Sequence, residues 1–194
     1  MEDSLKIPRW MIGVFAAALV WPAAKVLFGG NAAWAAPCGP EVEVWFVETD
    51  GDFFVIKNKS PEGWSLVSLI IRLTGSRGRV VFDTAEGGPG ASMSHPFQPI
   101  ESGVGFLGAT PVGDGDEQVR LEFSDFAPGR EFMFMIDLDD RLENSEYGQA
   151  IVSGDEIEGA SAEAVLMTGS GAKSKAYGRF GNDARARLRG GLCA

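Results

Sequence analysis

The sequence predicts an all-β protein: an antiparallel β-sandwich or jelly roll of about nine or ten short strands, preceded by an N-terminal signal helix. Three observations lead to this reading. Apolar and polar residues alternate with period two in many short runs. Clusters of Gly, Pro, Asn and Asp interrupt those runs at the close intervals usual in β-sandwiches. Beyond the leader, no extended stretch combines a helical period with capping residues.

The leader comes first. Lys6 and Arg9 precede an apolar run from Trp10 to Ala24, and Ala33-Trp34-Ala35 is a small-x-small pattern. A basic start, a greasy stretch and small residues before the cut read as a signal peptide over residues 1–35, with Ala36 as the mature N-terminus. A retained anchor is the rival reading. Trp10–Ala24 is shorter than the roughly 20 residues that span a bilayer core, and extending it to Phe28 takes in Pro22 and Lys25. Both readings place the remainder outside the cytoplasm, secreted or periplasmic, and with cleavage it has no membrane partner. Pro37 precedes Cys38 where a lipid-attachment motif needs a small residue.

The mature chain, 36–194, then reads as one domain of successive strands. Glu41–Glu48 alternates, and Asp50-Gly51 supplies a hairpin turn into Phe53–Asn58. Ser65–Leu73 carries a Leu-Ile-Ile centre that suggests burial on both faces. Arg79–Thr84 returns after Gly75 and Gly78. From Ala85 to Val112 the chain is rich in Gly and Pro, with short strands expected near Phe97 and Phe106. Glu117–Phe123, Glu131–Leu138, Gln149–Ser153, Ala160–Met167, Lys173–Phe180 and Ala184–Leu188 complete the set.

Charge and cysteine content limit the function classes. Removing Lys6, Arg9 and Lys25 along with Glu2 and Asp3 takes the net charge from −10 to −11. Such a surface repels nucleic acid and suits divalent cations, or simply solubility. Cys38 and Cys193 lie near the two ends of the mature chain. In an oxidising compartment an even cysteine count indicates a bridge. Closing a loop of that length contributes on the order of 5 kcal/mol in the chain-entropy model.

No catalytic constellation stands out. His95 is the only histidine, set in a Gly/Pro-rich loop, and reads as an ordinary surface residue. Gly169–Ser174 lacks the Gly directly before Lys that a phosphate loop needs, and reads as a hairpin turn. The acids are more informative. Asp137 and Asp139 share one strand face about 6.5–7 Å apart, with Asp140 beside them and Asp114-Gly115-Asp116-Glu117 earlier in the chain. Asp137, Asp139 and Asp140 are therefore the candidate metal ligands, and calcium is the candidate ion because it takes 6–8 oxygens at about 2.3–2.6 Å. The rival reading is a set of solvated acids: at that separation two exposed carboxylates repel by only about 0.6 kcal/mol. Arg141, directly after Asp140, is placed to neutralise them. Paired carboxylates could also serve glycoside hydrolysis, with Trp45, Trp64 and Tyr147 as a sugar platform.

Several stretches also share an order with a known family. They are Val81-Phe82-Asp83-Thr84, Gly87-Gly88-Pro89-Gly90, Pro96-Phe97, Asp114-Gly115-Asp116, Phe126-Ala127-Pro128-Gly129, Ile136–Asp140 and Val152–Ala160. Read together they resemble the bacterial "aggregation factor core" family, which is similar to the core protein of the sponge aggregation factor. The resemblance implies an extracellular β-domain linked to calcium-dependent or carbohydrate-mediated adhesion. The expectation is a non-catalytic exported module, with an extracellular glycan or a cell-surface protein as partner and no nucleic acid. The alternatives are a carbohydrate-active enzyme on the same scaffold and a structural envelope protein without a small ligand.

Overall fold

The computed structural model describes residues 39–49, 51–88, 90–91, 93–100, 103–145 and 148–191. The expected signal peptide, Cys38 and Cys193 lie outside the described residues. Those that are described form strands and turns, with no helix among them. Twelve strands follow in chain order: β1 (Glu41–Val47), β2 (Phe53–Asn58), β3 (Trp64–Arg72), β4 (Val81–Asp83), β5 (Gln98–Ile100), β6 (Gly105–Ala109), β7 (Gln118–Asp125), β8 (Glu131–Met135), β9 (Asp137–Asp139), β10 (Ser161–Thr168), β11 (Lys173–Arg179) and β12 (Arg185–Gly190). The all-β expectation holds.

Ten of these strands form one antiparallel sheet, in the order β5-β8-β2-β1-β12-β11-β10-β3-β7-β6, and β4 pairs with β9 in a separate small sheet. The period-two pattern decides which face is buried. Val42, Val44 and Phe46 on β1, Phe54 and Ile56 on β2, Phe132 and Phe134 on β8, and Val119, Leu121 and Phe123 on β7 all turn inward. The large sheet curls round this core until its two edges meet through aromatic side chains. Phe106 of β6 stacks on Phe132 of β8 with ring centroids 4.7 Å apart, and Phe97, just ahead of β5, packs on Phe134 at 5.0 Å. Burial of such large rings is the dominant favourable term for the fold.

Three expectations change. Ser65–Leu73 is not buried on both faces: Leu69 and Ile71 enter the core, while Ile70 is half-buried on the outer face, paired with Glu163 and Arg120. Gln149–Ser153 forms no strand; it follows Gly148, whose φ of 86° turns the chain, and only Val152 of its apolar residues is buried. Glu131–Leu138 is two strands rather than one. The Ile136 backbone N–H makes one last rung in register with β2, donating to Asp52 O at 3.2 Å, and the chain then steps from the large sheet into the small one. Asp52 marks this step from the other side, since its Oδ2 accepts from Leu138 N at 3.2 Å.

Candidate metal centre

The small sheet is where the acids gather. β4 and β9 run antiparallel with Val81 opposite Asp139, Phe82 opposite Leu138 and Asp83 opposite Asp137. Alternation sends Phe82 and Leu138 into the core, both fully buried, and puts Asp83, Asp137 and Asp139 on the other face. One carboxylate oxygen from each lies within 4.8 Å of those of the other two. All three side chains are buried, with exposures of 3%, 5% and 1%. These acids are not solvated.

A glycine-rich loop covers them. A Cβ at Gly90 would fall 2.6 Å from Asp139 Oδ2 and overlap the Asp83 carboxylate, and a Cβ at Gly88 would overlap the carboxylate of Asp114. Only glycine lets the backbone approach so closely. Ala91 N–H donates to Asp139 Oδ2, and Thr84 N–H donates to Asp114 Oδ1 at 2.9 Å. His95 is the strap at the far end of the loop, not a free surface residue. Its N–H donates to Asp83 O at 3.3 Å and its carbonyl accepts from Asp137 N–H at 3.1 Å.

The cluster has no ion pair among the described residues to offset its charge. Among the described residues, no Lys or Arg forms an ion pair with Asp83, Asp137 or Asp139. Buried oxygens of Asp83 (Oδ1), Asp139 (Oδ1) and Asp114 (Oδ2) have no hydrogen-bond partner among the described residues. At 4.8 Å, two ionised carboxylates repel by about 3.5 kcal/mol at an effective dielectric near 20. The carboxyls respond by holding protons. Burial, with Asp114 and Asp139 adjacent, pushes Asp83 up to about 7. Burial and the neighbouring acids push Asp137 and Asp139 up to about 6 each. Asp114 goes the other way. Its burial opposes ionisation, but donation from Thr84, contact with Asp83 and the nearby Arg141 outweigh that and hold it below the usual range.

Of the residues expected to ligate, Asp137 and Asp139 lie in this cluster. Asp140 falls outside the set of three: its Oδ1 accepts from Leu142 N–H at 2.7 Å, and its Oδ2 is buried without a hydrogen-bond partner among the described residues. Arg141 forms no ion pair with the cluster among the described residues, and a guanidinium nitrogen lies 3.5 Å from Gly115 O. The third member, Asp83, arrives through the β4–β9 pairing, which no local pattern announces. In the sequence Gly88 and Gly90 stand out only as part of a Gly/Pro-rich stretch and of the ordered resemblance. Trp45 and Trp64 make no common platform: Trp45 lies on the outer face under the Arg185 guanidinium at 5.0 Å, while Trp64 packs against the core. Tyr147 lies outside the described residues.

A compact set of three buried carboxylates, with no ion pair to any of them among the described residues and glycine backbone packed against it, is of the all-oxygen kind that could hold a hard divalent ion. No family model matches this chain, and no curated protein or solved structure matches it either.

Proposed function

We propose that this chain is an exported, non-catalytic β-module that binds a divalent cation, calcium by preference, through Asp83, Asp137 and Asp139, and that serves in adhesion or matrix binding. The observation that carries the cation is the burial of three carboxylates within 4.8 Å of one another with unpartnered oxygens. Leaving such groups buried and uncompensated is costly, and an ion removes the cost. Calcium suits a set of carboxylates better than magnesium, because it tolerates variable coordination where magnesium demands a near-ideal octahedron. The ion would fasten the backbone at Gly90 to the β4–β9 sheet. The adhesion role draws on the leader sequence and on the ordered resemblance to the aggregation factor core family.

Raised carboxyl pKa values also occur in hydrolases. Here they favour an ion over a sugar. The three carboxyls are almost wholly buried, and neither of the surface depressions described in this molecule is lined by any of them.

Thermal unfolding of the secreted chain in calcium and then in chelator tests the reading. A ligand at a hundred times its Kd stabilises by about 2.7 kcal/mol, which for a domain of this size is a rise in Tm of roughly 5–10 °C. Equal midpoints in calcium, magnesium and chelator would remove the cation from the proposal. Recovery of the chain with its leader intact from the cytoplasm would remove the export.

A further inference from the structure

The acidic average of the chain hides a basic face. Between Lys173 and Gly190 six cations, Lys173, Lys175, Arg179, Arg185, Arg187 and Arg189, stand against one acid, Asp183, in a chain of net charge −10. Alternation along β11 and β12 turns all six outward, while Ala176, Ala186 and Leu188 fill the core. The cross-strand register then arranges the arginines. Tyr177 pairs with Arg189 and Phe180 with Ala186, which sets Arg179 opposite Arg187. Arg179 is paired on its other side with Ser161, and Ser161 with Arg72. One straight row therefore runs Arg187, Arg179, Ser161, Arg72 across four adjacent strands.

Compensation along this row is uneven: Arg72 and Arg187 have acids beside them, and Arg179 between them has none among the described residues. Like charges directly opposite each other on a sheet are destabilising. Arg179 donates to Gly159 O at 2.9 Å and has no carboxylate partner among the described residues. Glu43 is shared among Lys59, Arg185 and Arg187 at 3.3–3.6 Å, and Asp183 holds Arg187 more closely at 2.9 Å, so Arg179 is the arginine of the row that no acid pairs with among the described residues. Between Arg179 and Arg72 lies a shallow depression of about 390 Å³ with Ser161 in it and Tyr177 at its side. Tyr177 is 55% exposed. Glu163 also borders it, but is held by Lys175 at 2.8 Å and Arg72 at 3.7 Å.

We propose that this row, with the Ser161 depression between Arg179 and Arg72, is a binding site for an acidic polysaccharide. Guanidinium groups recognise carboxylate and sulfate through paired N–H donors. Neighbouring strands lie about 4.8 Å apart, close to the advance of one sugar ring along an extended chain. Successive arginines can thus meet successive acidic sugars, Ser161 offers a hydroxyl between them, and Tyr177 offers an apolar face for a ring. The inference rests on the matrix-binding part of the reading above and not on its cation, whose ligands lie on other strands.

The test is binding of the secreted chain to immobilised alginate, a uronate polymer, and to heparin, a sulfated one, with dextran, polyglutamate and duplex DNA as controls. Each is measured in calcium and in chelator. The expected result is binding to one or both acidic glycans that weakens as salt rises. R179E should weaken it at least tenfold, and R179Q by less, while the far-ultraviolet spectrum and Tm stay near those of the parent. Preference for alginate or heparin tells carboxylate from sulfate recognition. Unchanged binding in the variants, equal binding to polyglutamate or DNA, or no binding to either acidic glycan would overturn the site. Binding to dextran that ignores R179E would leave the matrix reading standing and sink this one alone.

Discussion

Asp83 stands directly opposite Asp137 in the β4–β9 ladder, so two carboxylates face each other at a buried cross-strand position. A pair of like charges there opposes the fold, and Asp139 adds a third within the same 4.8 Å. The fold tolerates this only with the charges neutralised, by protons or by a metal ion. That choice yields the first two predictions.

D83N and D139N should each raise the stability of the chelator-treated protein, because an amide of the same shape removes repulsion without opening a cavity. Both should abolish the calcium-dependent rise in Tm. Paired melting curves in calcium and chelator check this. A variant that kept the full calcium shift would show that its carboxylate is not a ligand.

The pH dependence has a definite sign. Asp83 near 7, Asp137 and Asp139 near 6, and Asp52 near 8 all lie above an unfolded value of 3.8. From about pH 4 upward the unfolded chain loses protons that the folded chain retains, so stability is fully present in acid and falls as pH rises to about 8. Denaturant titrations in chelator should show this decline, and saturating calcium should flatten its middle part. A stability that rises steadily from pH 4 to 8 in chelator contradicts the arrangement.

Gly90→Ala places a methyl group against Asp83 and Asp139. Overpacking of this kind costs about 1–3 kcal/mol, and here it also displaces the loop from the carboxylates. Calorimetric titration should show calcium affinity reduced at least tenfold. Gly87→Ala is the control: its Cβ would meet nothing within 4 Å, although its φ of 80° adds a local cost. It should change stability without a comparable loss of affinity.

Asp52 is pushed up to about 8, chiefly by burial. Its oxygens accept from Thr49 N–H at 3.3 Å and Leu138 N–H at 3.2 Å, joining the β1–β2 turn to β9. D52A should cost about 1–3 kcal/mol by leaving those donors unpaired. D52N should cost less, and it should flatten the fall in stability between pH 7 and 9. Equilibrium unfolding at three pH values separates the two variants.

Much of this molecule was legible in the chain because period two survives wherever one sheet face is buried. Val42, Val44 and Phe46 announce β1 without help from elsewhere. Asp137 and Asp139 were equally legible, since residues two apart on a strand share a face. Asp83 was not, because its meeting with Asp137 depends on which strands pair, and nothing local fixes that. The break at Ile136 was hidden for a similar reason: the apolar run is continuous, and it is divided only by a change of partner, from β2 before Ile136 to β4 after it. The basic row was obscured by averaging. A net charge describes the chain as a whole, whereas Arg72, Arg179 and Arg187 become neighbours only when four strands lie side by side.

The ligands of the small sheet come from stretches widely separated along the chain, and they converge only when β4 has found β9. A half-made chain offers no cage at all. An ion held there would therefore not guide the early stages of assembly; it would recognise a finished product and slow its undoing. Whatever medium surrounds the protein, its ion content would set how long each molecule lasts rather than how quickly each one forms.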